Sequence, residues 1–156
     1  MRVGAGCEAA CTALSELTSF DTQHLPDLKG FKSDLRTYQE MGVRWLWFLY
    51  KHGLSGLLCD EMGLGKTHQA MGLIAGVYNA APQLMLIVCP TSVIYHWEQL
   101  LHQFLPGVPS LFFYGPSRSL RAWKQGIVLT SYGVLRSDEE ALSEMEFDVA
   151  VFDELQ

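Results

Sequence analysis

Residues 54–67 read LSGLLCDEMGLGKT: a short apolar run, a Gly-rich loop, then Gly65-Lys66-Thr67. An apolar strand that ends in such a loop and feeds a helix is a phosphate cradle, because consecutive backbone N–H groups and a helix N-terminus converge on one anion. The Walker A pattern has Gly at its first position, and here Asp60 stands there. The other fixed positions are met. Gly65 lets the backbone approach the phosphates, Lys66 reaches the β- and γ-phosphates, and Thr67 offers its hydroxyl to Mg²⁺. A Gly-rich turn before a buried helix can also serve packing alone, but packing would not choose a lysine for the helix start. The stretch therefore predicts a nucleotide-binding loop formed by Asp60, Glu61, Met62, Gly63, Leu64, Gly65, Lys66 and Thr67.

The rest of the chain alternates helical and strand-like patterns. From Tyr38 the residues Met41, Trp45, Phe48, Leu49 and His52 recur at helical spacing and stop at Gly53. After Thr67, Ala70, Leu73, Ile74, Val77 and Tyr78 predict a helix with one apolar face, on which Gly72 and Gly76 allow close approach to a sheet. Residues 84–88 form a continuous apolar run, the pattern of a strand buried on both faces of a parallel sheet. Val93, Trp97, Leu100, Leu101 and Phe104 mark the next helix, closed by Pro106-Gly107. Further strands are expected at 111–114, 127–130 and 149–152, with a short helical piece around Leu120 and Trp123. Ser137 with Glu140 reads as a capping box opening a helix through Met145. Strands alternating with helical crossovers predict an α/β three-layer sandwich with a mainly parallel sheet. Residues 1–33, broken by Gly4, Gly6, Pro26 and Gly30, read as a lead-in segment in which Leu14 and Leu17 fit one helical turn, and 34–156 as the domain.

Composition narrows the partners. The 156 residues are 49% apolar, enough for a core, and carry a net charge of −6. With no global basic footprint, contact with nucleic acid must come from local backbone donors or from parts of the protein outside this sequence. The four cysteines show neither metal spacing nor a disulfide framework and read as reduced thiols. Glu8 interrupts the only run that could mimic a signal peptide, and no apolar stretch approaches membrane-spanning length, so a soluble intracellular protein is expected.

Residues 149–152 run into Asp153-Glu154, 87 residues after Lys66. Asp153 at a strand end can hold Mg²⁺, usually through its waters, while Glu154 can orient and deprotonate an attacking water. Gln39 is a candidate reader of an adenine edge, since its amide both donates and accepts, although a glutamine at a helix start is usually solvated. Pro90-Thr91-Ser92 and Thr130-Ser131-Tyr132 each follow a strand and precede a helix, where free N–H groups and hydroxyls favour a phosphate; read alone, each triplet also fits a simple N-cap.

Together these residues resemble the SWI/SNF-like ATPases of helicase superfamily two, the DNA-translocating motors of chromatin remodelling and their bacterial relatives. DEMGLGKT carries the resemblance most specifically. LRTYQEMGVRWL at 35–46 is similar to the family's Gln motif, LIVCPTSVIYHW at 86–97 to its motif Ia, and FYG at 113–115 with IVLTSYGVL at 127–135 to its next two. In the family's DExx box the last two letters are commonly AH, GH or AQ, whereas here they are Leu155 and Gln156. The resemblance implies a RecA-like first lobe that binds ATP and Mg²⁺ and grips one strand of double-stranded DNA through the two triplets. It also implies that the strand next in this lobe, and a second RecA-like lobe bearing the arginine fingers, lie outside these residues. The expectation is an N-terminal fragment, inactive alone, of a motor that is cytoplasmic or nucleoid-associated in a bacterium and nuclear in a eukaryote. A non-catalytic remnant that binds nucleotide or a partner remains an alternative. So does another superfamily-two ATPase, such as a restriction translocase or RNA helicase.

Overall fold

A computed structural model describes residues 24–56, 65–121 and 123–154. The apolar run at 57–59, the loop residues Asp60, Glu61, Met62, Gly63 and Leu64, the Leu14–Leu17 turn, Cys7, Cys11, Cys59, Leu155 and Gln156 lie outside those residues. The described elements are α1 (Thr37–Lys51), α2 (Lys66–Ala80), β1 (Leu84–Cys89), α3 (Ile94–Phe104), β2 (Ser110–Phe112), β3 (Gly126–Ser131), α4 (Tyr132–Ser137), α5 (Glu139–Ser143) and β4 (Val149–Phe152). The four strands form one parallel sheet in the order β2-β3-β1-β4.

Both faces of the sheet are covered. Met85, Ile87 and Cys89 of β1 and Ile127 and Leu129 of β3 point into a core shared with α2 and α3. Leu86, Val88 and Val128 point into a second core closed by Val134 of α4 and Leu142 of α5. The alternation follows from the two-residue period of a strand, and burial of every side chain after Leu84 in β1 explains its unbroken apolar run.

Helix α2 departs from the expected single apolar face, because everything from Gln69 to Val77 is buried. It is sandwiched between the sheet and α1. Its glycines accordingly approach α1 and the lead-in rather than the sheet: a Cβ on Gly72 would stand 2.7 Å from Val43 Cγ2, and one on Gly76 2.6 Å from Pro26 Cβ. On α1 the face turned to α2 carries Gln39, Gly42, Val43 and Trp47, while Met41 is 43% exposed and His52 lies outside the core. Residues 24–33 are laid down on the domain. Asn79 donates to the carbonyls of Asp27 (2.7 Å) and Lys29 (2.9 Å), and Lys32 N–H donates to Phe104 O at 2.8 Å.

Two local expectations fail. The segment around Leu120 and Trp123 forms a turn, Trp123 N–H to Leu120 O at 3.2 Å, instead of a helix among its described residues. The capping box at Ser137 does not form either, because Ser137 ends α4 and its hydroxyl lies 3.2 Å from Val134 O and 2.9 Å from Asp138 Oδ1. Arg118 links the two regions. Its guanidinium donates through Nε (2.9 Å) and Nη2 (2.8 Å) to the Asp138 carboxylate and through Nη1 to Gly115 O (2.8 Å), pinning the β2–β3 connection to the α4–α5 junction. That bidentate pair uses the carboxylate of Asp138, the N-cap residue of α5, and holds its pKa below the usual carboxylate range.

Candidate active site

The described part of the phosphate loop begins at Gly65, which is left-handed (φ 76°) and is the N-cap residue of α2. The positive φ favours glycine there, and a Cβ would lie 2.0 Å from Gln39 Nε2, at the mobile end of that side chain. Gln39 thus lies against the end of the loop. Its Oε1, however, already accepts from Arg36 N–H at 2.8 Å, tying down the start of α1.

Lys66 and Thr67 open α2 directly after Gly65, an N-cap residue that has no side chain to cap the helix, and among the described residues no side chain caps it. Its first turn contains a lysine and no acid, the reverse of what a helix dipole prefers. Uncapped N–H groups, the positive end of the dipole and the Lys66 ammonium together fit an anion such as a nucleotide phosphate. Thr67 supplies a hydroxyl and Asp153 a carboxylate, the hard oxygen donors that suit Mg²⁺. His68 follows with Nδ1 3.1 Å from Ser33 Oγ and its ring edge-on to Phe104, and burial lowers its pKa.

The other candidates meet at the carboxyl edge of the sheet. β1 ends at Cys89 opposite Ser131, and Val88 stands opposite both Thr130 and Phe152, so the segments after β1, β3 and β4 emerge side by side. After β1, Thr91 and Ser92 are exposed in a 3₁₀ turn whose entry is uncapped by any side chain. After β3 the picture differs. Thr130 is fully buried and donates its hydroxyl to Phe113 O at 2.8 Å, while Ser131, 1% exposed, caps α4 by accepting from Val134 N–H at 3.2 Å. These two hydroxyls are engaged inside the protein, whereas those of Thr91 and Ser92 are not buried. Tyr132 also turns inward, donating its hydroxyl to the main-chain carbonyl of Asp153 at 2.6 Å. Burial, and next the Asp153 charge, raise its pKa.

Asp153 itself is half-buried and held by its neighbours. Its N–H donates to Val88 O at 2.8 Å, and its Oδ2 accepts from the indole N–H of Trp97 at 2.8 Å. Glu154 beside it is exposed and left-handed (φ 52°), a region that side-chain-bearing residues seldom occupy and that tends to mark functional turns. Cys89 lies behind this pair; burial, then Asp153 and Glu154, push its thiol up to about 12. The sequence pattern missed the partnership of Trp97 with Asp153, since an apolar tryptophan in a helix reads as core, which Trp97 also is.

A parallel sheet covered on both faces, with polar candidates gathered at its carboxyl edge, defines an α/β domain of the RecA-like kind. Residues 38–156 match the SNF2-related domain, and the chain belongs to that family. It is 38% identical over 141 residues to TATA-binding protein-associated factor mot1 of Aspergillus fumigatus, covering 79% of this chain and 8% of that protein. With the putative ATP-dependent helicase/translocase YwqA of Bacillus subtilis it shares 37% identity over 145 residues, 86% of this chain and 16% of the relative. Among solved structures, the Sulfolobus solfataricus SWI2/SNF2 ATPase core in complex with dsDNA superposes with a TM-score of 0.76 at 34% identity, covering 83% of this chain and 28% of that one. A second structure, the Sulfolobus solfataricus SWI2/SNF2 ATPase core domain, gives a TM-score of 0.78 at 33% identity, covering 85% of this chain and 28% of that one. The chain therefore spans a small part of the length of these relatives.

Proposed function

We propose that this lobe binds ATP with Mg²⁺ and takes part in its hydrolysis within an ATP-dependent DNA translocase, gripping DNA by its phosphates. The observation that carries the reading is the start of α2: a left-handed Gly65 as N-cap residue, and Lys66 where a helix would otherwise favour an acid. In this reading Lys66 meets the β- and γ-phosphates, and Thr67 and Asp153 hold the cation. Bound Mg²⁺ would neutralise charge developing on the phosphates. Glu154 orients the attacking water and accepts its proton. The adenine lies toward Gln39, whose amide nitrogen stands beside Gly65.

The same family includes a solved core bound to dsDNA, which supports a DNA partner for the parent protein. At a net charge of −6 this lobe offers no broad basic surface. The grip then rests on the exposed hydroxyls of Thr91 and Ser92, at the entry to α3. Thr130 and Ser131 shape that edge from inside.

Lys66→Ala tests the central claim. Isothermal calorimetry is expected to show Mg-ATP binding in the wild type and its loss in the variant, with the melting temperature retained. Equal affinity in both would make the loop a structural turn.

A further inference from the structure

We propose that Trp97 is a positioning residue for Asp153: its indole N–H holds one carboxylate oxygen so that the other is presented to the divalent cation. The inference rests on the Mg-ATP reading above and extends it to a residue on α3 that touches neither nucleotide nor metal.

Asp153 is anchored by three elements besides its own strand. Its N–H is bonded to β1 (Val88 O, 2.8 Å), its carbonyl to Tyr132 at the start of α4 (2.6 Å), and its Oδ2 to Trp97 on α3 (2.8 Å). Trp97 belongs to the core on one face of the sheet and Tyr132 packs on the core of the other. The residue is thus clasped from both layers, fixing its backbone and one side-chain oxygen. Among the described residues Oδ1 takes no hydrogen bond.

The donor's chemistry matters. An indole N–H donates and cannot accept, and it carries no charge. It orients the carboxylate without neutralising it, whereas a lysine or arginine in that place would compete with the cation. Hydrogen bonds behind a ligating carboxylate commonly change metal affinity by about 10- to 100-fold when lost. The plainer explanation is that a 3%-exposed indole simply needed an acceptor. Trp123 argues against that necessity, because its Nε1 is also buried and has no partner among the described residues.

The test uses the parent protein with a non-hydrolysable ATP analogue, whose binding is followed by calorimetry in EDTA and then across a Mg²⁺ titration. Trp97→Phe is expected to leave metal-free analogue affinity within about twofold and to raise the Mg²⁺ concentration at half-effect about tenfold. Where Trp97→Phe melts early, β-(3-benzothienyl)alanine at position 97 keeps the ring shape and removes only the N–H. Unchanged Mg²⁺ dependence in a folded variant lacking the donor overturns the proposal, as does an equal loss of metal-free affinity, which marks a purely structural role. Asp153→Asn separates the two levels. If that variant keeps the wild-type Mg²⁺ dependence, the assignment of Asp153 itself fails; if it loses that dependence while the Trp97 variants do not, only the positioning role fails.

Discussion

His68 sits one residue beyond Thr67, half-buried between Ser33 and Phe104, and burial holds its pKa below its ordinary 6.5. The sign follows from linkage. Between the two pKa values the unfolded chain binds the proton and the folded chain resists it, so stability rises with pH across that window. His68 therefore supports the fold above about pH 6.5 and loses that support as pH falls through its lowered folded value. Denaturant melts of wild type and His68→Gln between pH 8 and pH 5 are expected to show a shallower acid loss in the variant; superimposable slopes would mean the histidine is not held neutral. Individual residues were legible to different depths. Gly65 and Lys66 announce themselves because a positive φ and a cation at a helix start have few other uses. Thr130 and Ser131 do not, because a hydroxyl at a strand end serves a phosphate and a buried carbonyl with the same chemistry, and only the fold decides that Phe113 O receives Thr130.

At the scale of elements, periodicity places α1, α3, β1 and β3 well, since each buries a broad stripe or both faces. It misassigns the surroundings of α2. The chain's own glycines are small enough for either a sheet or a helix, and which one approaches them is a tertiary fact: Val43 meets Gly72, and Trp47 and Pro26 meet Gly76. Gly72→Ala measures that contact. Alanine gains about 1 kcal/mol of helix propensity over glycine. Against this stands a new methyl 2.7 Å from Cγ2 of Val43, which is fully buried and branched and so cannot swing away. Overpacking of this kind costs about 1–3 kcal/mol, so sterics should win and the variant should unfold at lower denaturant. A rise in midpoint would show that α1 yields easily. The missing capping box has a similar origin, because a local S-x-x-E pattern cannot foresee that the preceding helix runs on through Ser137.

Across the whole molecule, the parallel sheet sends three loops to one edge, and the fold gives them different tasks. The loop after β4 carries the paired acids, the loop after β3 braces them through Tyr132, and the loop after β1 alone among these three turns two small hydroxyls, Thr91 and Ser92, to solvent. The sequence pairs the two triplets as equivalent DNA contacts, and burial separates them. If the lobe grips phosphates as proposed, Ser92→Ala and Thr130→Val should fail in opposite ways. Losing a hydrogen bond to a charged phosphate at Ser92 costs about 1.5 kcal/mol, roughly tenfold in Kd, while an exposed turn residue leaves the melting temperature nearly unchanged. Removing the Thr130 hydroxyl strands Phe113 O in the core and costs about 1–3 kcal/mol of stability, with DNA affinity of the folded fraction preserved. Duplex-DNA titrations at fixed salt, paired with melts of each variant in the parent protein, read both quantities. Fixed salt is essential because phosphate contacts weaken steeply with ionic strength. Weakened DNA binding by folded Thr130→Val, with Ser92→Ala silent, would move the grip to the loop after β3 and require that loop to open on DNA.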